Sequence, residues 1–142
     1  MLVSTRGRYA IRVMIDLAEH RHGNFIPMKE IADRQEVSLK YMTKIMQALT
    51  KSGLLDGQHG KGGGYKLNRE PADYRVGDIL RLTEGTLAPV ACLDEIDCRC
   101  DRSAECRTRP MWNELDRIIN EYLDGITIAD LMEEDAADNY II

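Results

Sequence analysis

The sequence predicts a mainly α-helical fold with a small β-hairpin wing: a winged helix-turn-helix followed by a long C-terminal helix suited to dimerisation. Three observations predict it. Apolar residues recur at three- and four-residue steps over most of the chain. A glycine-rich run, His59-Gly60-Lys61-Gly62-Gly63-Gly64, joins two short strand-like segments. The longest periodic stretch, Trp112 to Leu123, lies well beyond the front half that holds the other helices. A chain of 142 residues makes one domain, or a small domain plus an appendage. The expected partition is a winged helix-turn-helix at 1–85, a cysteine loop at 86–106, and a dimerisation helix with its tail at 107–142.

Taken in order, Ala10, Val13, Met14 and Leu17 form the inner face of a first helix from Thr5 to about His20, with Thr5 as N-cap. A second helix follows Pro27 and covers 28–35, with Ile31 and Ala32 inward. Gln35-Glu36-Val37 connects it to Ser38, an N-cap type, and a third helix runs to about Ser52, closed by Gly53. Two short helices around a tight turn are the skeleton of a helix-turn-helix. Along the third helix Leu39, Met42, Ile45, Met46 and Leu49 line one side. Lys40, Lys44, Gln47 and Lys51 fall in a narrow band on the other, flanked by Tyr41 and Thr43. Leu54-Leu55 and Tyr65-Lys66-Leu67 read as the strands of the wing. Val76 to about Thr83 makes a fourth helix ending near Gly85. Pro110 opens the long helix, whose stripe is Trp112, Leu115, Ile118, Ile119, Tyr122 and Leu123. Thr127 and Asp130 form a capping-box-like start for a last short helix carrying Leu131 and Met132.

Charge is segregated along the chain. Residues 1–70 carry twelve Lys and Arg against seven Asp and Glu, a net of +5, whereas the remainder carries seven against seventeen, a net of -10. A basic front half points to a polyanion partner. Three cations, an amide and a phenol on one helix face suit phosphates and major-groove base edges. The expected contacts to double-stranded DNA are Ser38, Lys40, Tyr41, Lys44 and Gln47, with His59 and Lys61 at the wing tip. A phosphate-binding P-loop is excluded, because Lys61 is followed by Gly62 and a strand. The dinucleotide fingerprint fails because Tyr65 holds its third glycine position. No Ser/His/Asp or Cys/His constellation appears, so an enzyme is not expected. Nor does the N-terminus hold an apolar run for a signal peptide or a membrane span. The protein is therefore expected in the cytoplasm, off the membrane.

All four cysteines fall in one stretch: Cys92, Cys98, Cys100 and Cys106. Gathered on one polar loop in a reducing compartment, they are candidate metal or cluster ligands, or a redox switch, rather than structural disulfides. Thiolates are the standard ligands of iron–sulfur clusters. Zinc sites favour pairs two to four residues apart, which the gaps of five, one and five residues match poorly. Cluster, zinc and metal-free thiol switch all stay open on spacing alone. The histidines, His20, His22 and His59, lie far from this loop in sequence and are expected in solvent or at DNA. The Trp112–Leu123 stripe serves equally as a core-docking face or a dimer interface. The interface is favoured because helix-turn-helix proteins commonly pair to match two half-sites.

Several segments together resemble one family. They are STRGRYAIRVMIDLA, EIADRQEVSLKYMTKIMQALTKSGLL, the wing GKGGGYKL, VGDILRLTEG, CLDEIDC, ECRTRPMW and DGITIADLM. They are similar to the Rrf-two family of bacterial winged-helix transcription regulators over nearly the whole chain. The resemblance implies a homodimer crossed through residues 107–124 and a recognition helix at 38–52 in the major groove. It also implies an iron–sulfur cluster (2Fe-2S or 4Fe-4S) held by the cysteines that precede the long helix. Cys92 and Cys106 match the outer two of the family's three ligands. Cys98 matches the middle one counting forward, and Cys100 counting back, so this loop carries an extra cysteine. Arg109 stands where the family's cluster-assembly regulator has a histidine ligand, and a guanidinium does not ligate iron. Arg8 likewise does not reproduce the aspartate through which the nitric-oxide-sensing member completes its cluster. The expected function is thus a DNA-binding regulator sensing cluster or redox status, with Cys92, Cys98, Cys100 and Cys106 all as ligands. The alternative is a cofactor-free repressor of the same fold, controlled by a protein partner or by thiol oxidation.

Overall fold

A computed structural model describes residues 3–93 and 105–132. They form α1 (Thr5–Glu19), α2 (Met28–Gln35), α3 (Leu39–Lys51), β1 (Leu55–Gln58), β2 (Gly64–Leu67), α4 (Val76–Glu84), α5 (Arg109–Asp124) and α6 (Ile128–Leu131). Short 3-10 turns occupy Pro71–Asp73 and Ala91–Leu93. The mainly helical chain with one antiparallel hairpin is the expected fold class.

The central element is α1. Its Ala10, Val13, Met14 and Leu17 are buried among Ile31, Met42, Ile45, Met46, Leu49, Ile79 and Ile128. Each large aliphatic side chain removed from water there contributes about 1.5–3 kcal/mol. The N-cap is Ser4, not Thr5. Its Oγ accepts from the Gly7 amide at 3.1 Å and donates to Glu84 Oε1 at 2.6 Å. Thr5, one residue on, is already helical, so its hydroxyl cannot serve both partners. A Cβ at Gly7 would displace the Glu84 carboxylate from its place beside Ser4.

The turn between α2 and α3 is tighter than Gln35-Glu36-Val37. Gln35 stays helical, and Glu36 takes a left-handed conformation, φ 56° and ψ 44°, with its amide directed to Asp33. Ser38 then caps α3, accepting from the Tyr41 amide at 3.2 Å. Met42, Ile45, Met46 and Leu49 are buried as expected, but Leu39 is 48% exposed. As the first residue of α3 it sits beyond the apolar faces of α1 and α2.

The wing strands run longer than their apolar residues indicate, with Leu55 opposite Leu67 and Gln58 opposite Gly64. Ile26 adds a third rung, exchanging both backbone bonds with Tyr65 at 2.8 Å. Gly64 makes that approach feasible: its φ is +145°, and a Cβ would strike the Ile26 carbonyl oxygen. The wing's base is pinned by buried Tyr74, whose hydroxyl donates to the Leu54 carbonyl at 2.8 Å and accepts from the Asn68 amide.

The long helix stripe divides between two tasks. Ile119 and Leu123, with Ile126, pack on Val76, Leu80 and Leu87. Arg81 of α4 reinforces this docking through Asp124 at 2.9 Å and Asn120 at 2.7 Å. Its guanidinium holds the Asp124 carboxyl below the usual carboxylate range. Met111, Leu115, Ile118 and Tyr122 face away, 54%, 37%, 48% and 67% exposed. After α5 the chain returns to the front half: Ile128 is fully buried in its core, and Thr127 with Asp130 forms the anticipated capping box. Leu131, by contrast, is 40% exposed.

Candidate nucleic-acid interface and cysteine loop

On α3, burial of Met42, Ile45, Met46 and Leu49 turns Lys40, Lys44, Gln47 and Lys51 outward, all exposed. Among the described residues none of these lysines, nor Lys61, makes an ion pair, so their charges are uncommitted. Ser38 spends its oxygen on the cap but keeps its hydroxyl proton for an acceptor outside. Tyr41 is half-buried, its ring edge-on to Tyr9 at 5.9 Å. That contact fixes the ring beside the lysine band rather than leaving it free.

The hairpin extends away from the C-terminal turn of α3. Gln47, Thr50 and Lys51 on one side and Gly57, Gln58, His59 and Tyr65 on the other line a cleft of about 540 Å³. His59 and Lys61 are exposed at the tip, where Gly60 and Gly62 have φ of +89° and +76°. These backbone angles let the tip turn without a Cβ in the way. The structure therefore brings six of the seven expected DNA-contacting residues to exposed positions on α3 and the hairpin tip, with Tyr41 beside them. His20 and His22 lie elsewhere, at the end of α1 and the loop after it; His20 Nδ1 sits 2.9 Å from the Asp16 carbonyl oxygen.

Of the cysteines, Cys92 and Cys106 fall within the described residues, whereas Cys98 and Cys100 lie outside them. Cys92 sits in the 3-10 turn Ala91–Leu93, which packs against α5, and Cys106 immediately precedes α5. Both ends of the loop thus border the same helix. The Cys106 Sγ lies 3.3 Å from the Thr108 hydroxyl. That hydrogen bond, the backbone amides of Thr108 and Arg109 and the Arg109 charge lower the thiol pKa. This environment favours the thiolate, the form that binds metal. Among the described residues no three potential metal-ligating side chains gather.

The comparison with known proteins agrees with this arrangement. A family model described as "Rrf2: Iron-dependent Transcriptional regulator" matches residues 3–134. The chain belongs to the Rrf2 family. Protein rrf2 of Nitratidesulfovibrio vulgaris is 38% identical over 134 residues, 94% of this chain and 89% of that one. The structure of T. potens IscR is similar with a TM-score of 0.72 and 35% identity, covering 99% of this chain and 97% of that chain. CymR, the global cysteine regulator of B. subtilis, is similar with a TM-score of 0.75 and 32% identity, covering 92% and 95%. Membership makes the protein a DNA-binding transcription regulator rather than an enzyme. No helix among the described residues is long and apolar enough to cross a membrane.

What sequence reasoning missed is a polar cluster behind the interface. Asp16 of α1 is buried and takes hydrogen bonds from Arg34 and Gln35 of α2. An acid at the edge of the apolar face of α1 was the available signal.

Proposed function

We propose that the protein is a dimeric Rrf2-family regulator that reads operator DNA with α3 and the hairpin, and senses an iron–sulfur cluster held by its cysteine loop. The carrying observation is the bank of exposed lysines on α3, without ion-pair partners among the described residues, together with the cationic glycine-rich tip. In this reading Ser38 and the α3 N-terminus meet phosphate, Lys40, Tyr41, Lys44 and Gln47 meet the major groove, and His59 with Lys61 meets the neighbouring backbone. Residues 1–85 are the DNA-binding unit, 86–106 the cluster loop and 107–142 the dimerisation helix and tail. Two such units on a two-fold axis place their recognition helices about 34 Å apart, one turn of DNA.

The residues present fit a cluster. Cys106 is held toward its thiolate, Cys92 lies at the other loop end against the same helix, and Cys98 and Cys100 supply two further thiols between them. When bound, the cluster supplies a charge that changes with oxidation state and occupancy. Such a group shifts DNA affinity only insofar as it binds one dimer conformation better than another. The Arg81–Asp124 contact joins α5, the helix that follows the loop, to α4 of the front half. The likeness to a cysteine regulator, together with the acidified Cys106 thiol, favours a second reading in which thiol oxidation or a protein partner acts without a cofactor.

The DNA assignment is tested by salt. Phosphate contacts release counterions, so affinity for duplex DNA is expected to fall steeply between low and physiological salt. Lys61→Ala should weaken binding to all sequences alike and flatten the salt slope by about one contact. Lys40→Ala should instead change which sequence is preferred. Salt-independent binding, or binding that survives joint loss of Lys44 and Lys61, would sink the assignment.

A further inference from the structure

We infer that Asp16 of α1 is a positioning residue for DNA recognition: it fixes the end of α2, and through it the pose of α3, without meeting DNA. Asp16 is 3% exposed. A carboxylate that deep persists only when its oxygens are taken up by donors. Arg34 donates its Nε to Oδ2 at 3.0 Å and its Nη2 to Oδ1 at 2.8 Å, a two-pronged fork. Gln35 adds its Nε2 to Oδ2 at 2.9 Å.

One turn earlier on α1, Arg12 reaches the same place. Its Nε donates to the Gln35 side-chain oxygen and its Nη2 to the Gln35 carbonyl, both at 3.0 Å. All these bonds grip the last two residues of α2. Glu36 follows at once in its left-handed conformation, and α3 begins three residues later at Leu39. Arg12 also lies over the Tyr9 ring at 4.6 Å, and that ring meets Tyr41 in the first turn of α3. A single face of α1 therefore holds both sides of the helix-turn-helix turn.

The apolar anchors of α3 define how deep it sits but are compatible with small rotations, because hydrophobic contact is non-directional. Hydrogen bonds and a forked ion pair are directional, and a buried ion pair contributes little net stability compared with an apolar filler. Its contribution here is one fixed orientation of the turn. That orientation decides whether Lys40 and Gln47 meet base edges, while phosphate contacts by flexible lysines tolerate error.

This inference rests on α3 as the reading helix, and the test separates the two. The full-length protein is given a duplex selected by the wild type from a randomised pool, and a scrambled duplex of equal length. Asp16→Asn keeps the side chain's shape but removes the charge from the buried fork, leaving Arg34 only its longer pair with Glu30 at 3.7 Å. The expected result is that affinity for the selected duplex falls at least about tenfold, while the scrambled duplex changes by less than about threefold. Arg12→Ala, at an exposed position, removes both bonds to Gln35 and the stack on Tyr9. It should lower the ratio of the two affinities about threefold, and it decides the matter where circular dichroism finds Asp16→Asn unfolded. Equal loss on both duplexes, or no loss, in whichever of these variants is folded overturns the inference. Lys40→Ala, measured alongside, lowers the ratio where α3 reads bases; an unchanged ratio there overturns the α3 reading instead.

Discussion

Leu115→Glu combined with Ile118→Glu is expected to turn the proposed dimer into monomers and to weaken operator binding by about two orders of magnitude. Met111, Leu115, Ile118 and Tyr122 are spaced four, three and four residues apart on α5, the step pattern of a coiled-coil seam. All four are exposed in the single chain. Large exposed apolar side chains aligned along one helix mark an interaction face, and in the proposed dimer a second copy of α5 presents the matching row. Two glutamates from each subunit would set four carboxylates into that seam. The cost of desolvating them and their mutual repulsion exceed what the remaining contacts supply. Light scattering reads the outcome directly. Ile119→Glu serves as the contrast: its side chain packs on Val76, Leu80 and Leu87, so it should lower the melting temperature rather than simply dissociate subunits. A double variant that stays dimeric would move the interface off α5.

Cys106→Ser should abolish cluster absorbance in protein purified without oxygen, and Cys92→Ser should do the same. A serine hydroxyl is far less acidic than a thiol and a poor ligand for iron in a cluster. Cys106 is the better-defined case, because Thr108 and Arg109 already favour its thiolate. The four-thiolate proposal extends the expectation to Cys98→Ser and Cys100→Ser, each of which should lose iron or change its spectrum. Arg109 stands at the start of α5 and cannot ligate, so the proposal assigns the fourth thiolate to the extra cysteine. Full iron content and an unaltered spectrum in either variant would leave a three-cysteine site.

The helices were legible in the sequence because local periodicity alone specifies them. Val13, Met14 and Leu17 of α1, and Met42, Ile45 and Leu49 of α3, are buried where a period of 3.6 puts them. Gly53 and Gly85 end helices in positive-φ conformations, as glycines after a periodic run do. What was not legible depends on partners distant in the chain. Ser4 is the α1 cap because Glu84, eighty residues on, is there to receive its hydroxyl. Periodicity placed Ile118 and Ile119 on one stripe, and only the position of α4 separates them. Leu39 fits the apolar pattern of α3 but projects past its neighbours. The α3 and wing residues of the candidate interface could be read directly, since exposure of a polar face follows from burial of its opposite. The Asp16 clamp could not, because its donors come from another helix.

The most direct test of the central claim is iron and acid-labile sulfide analysis of the full-length protein purified without oxygen. A cluster-bearing regulator comes off the column coloured, with visible absorbance and equal iron and sulfide, about two or about four of each per chain. Colourless protein containing neither iron nor sulfide would contradict it, and would leave a thiol- or partner-controlled repressor of the same fold.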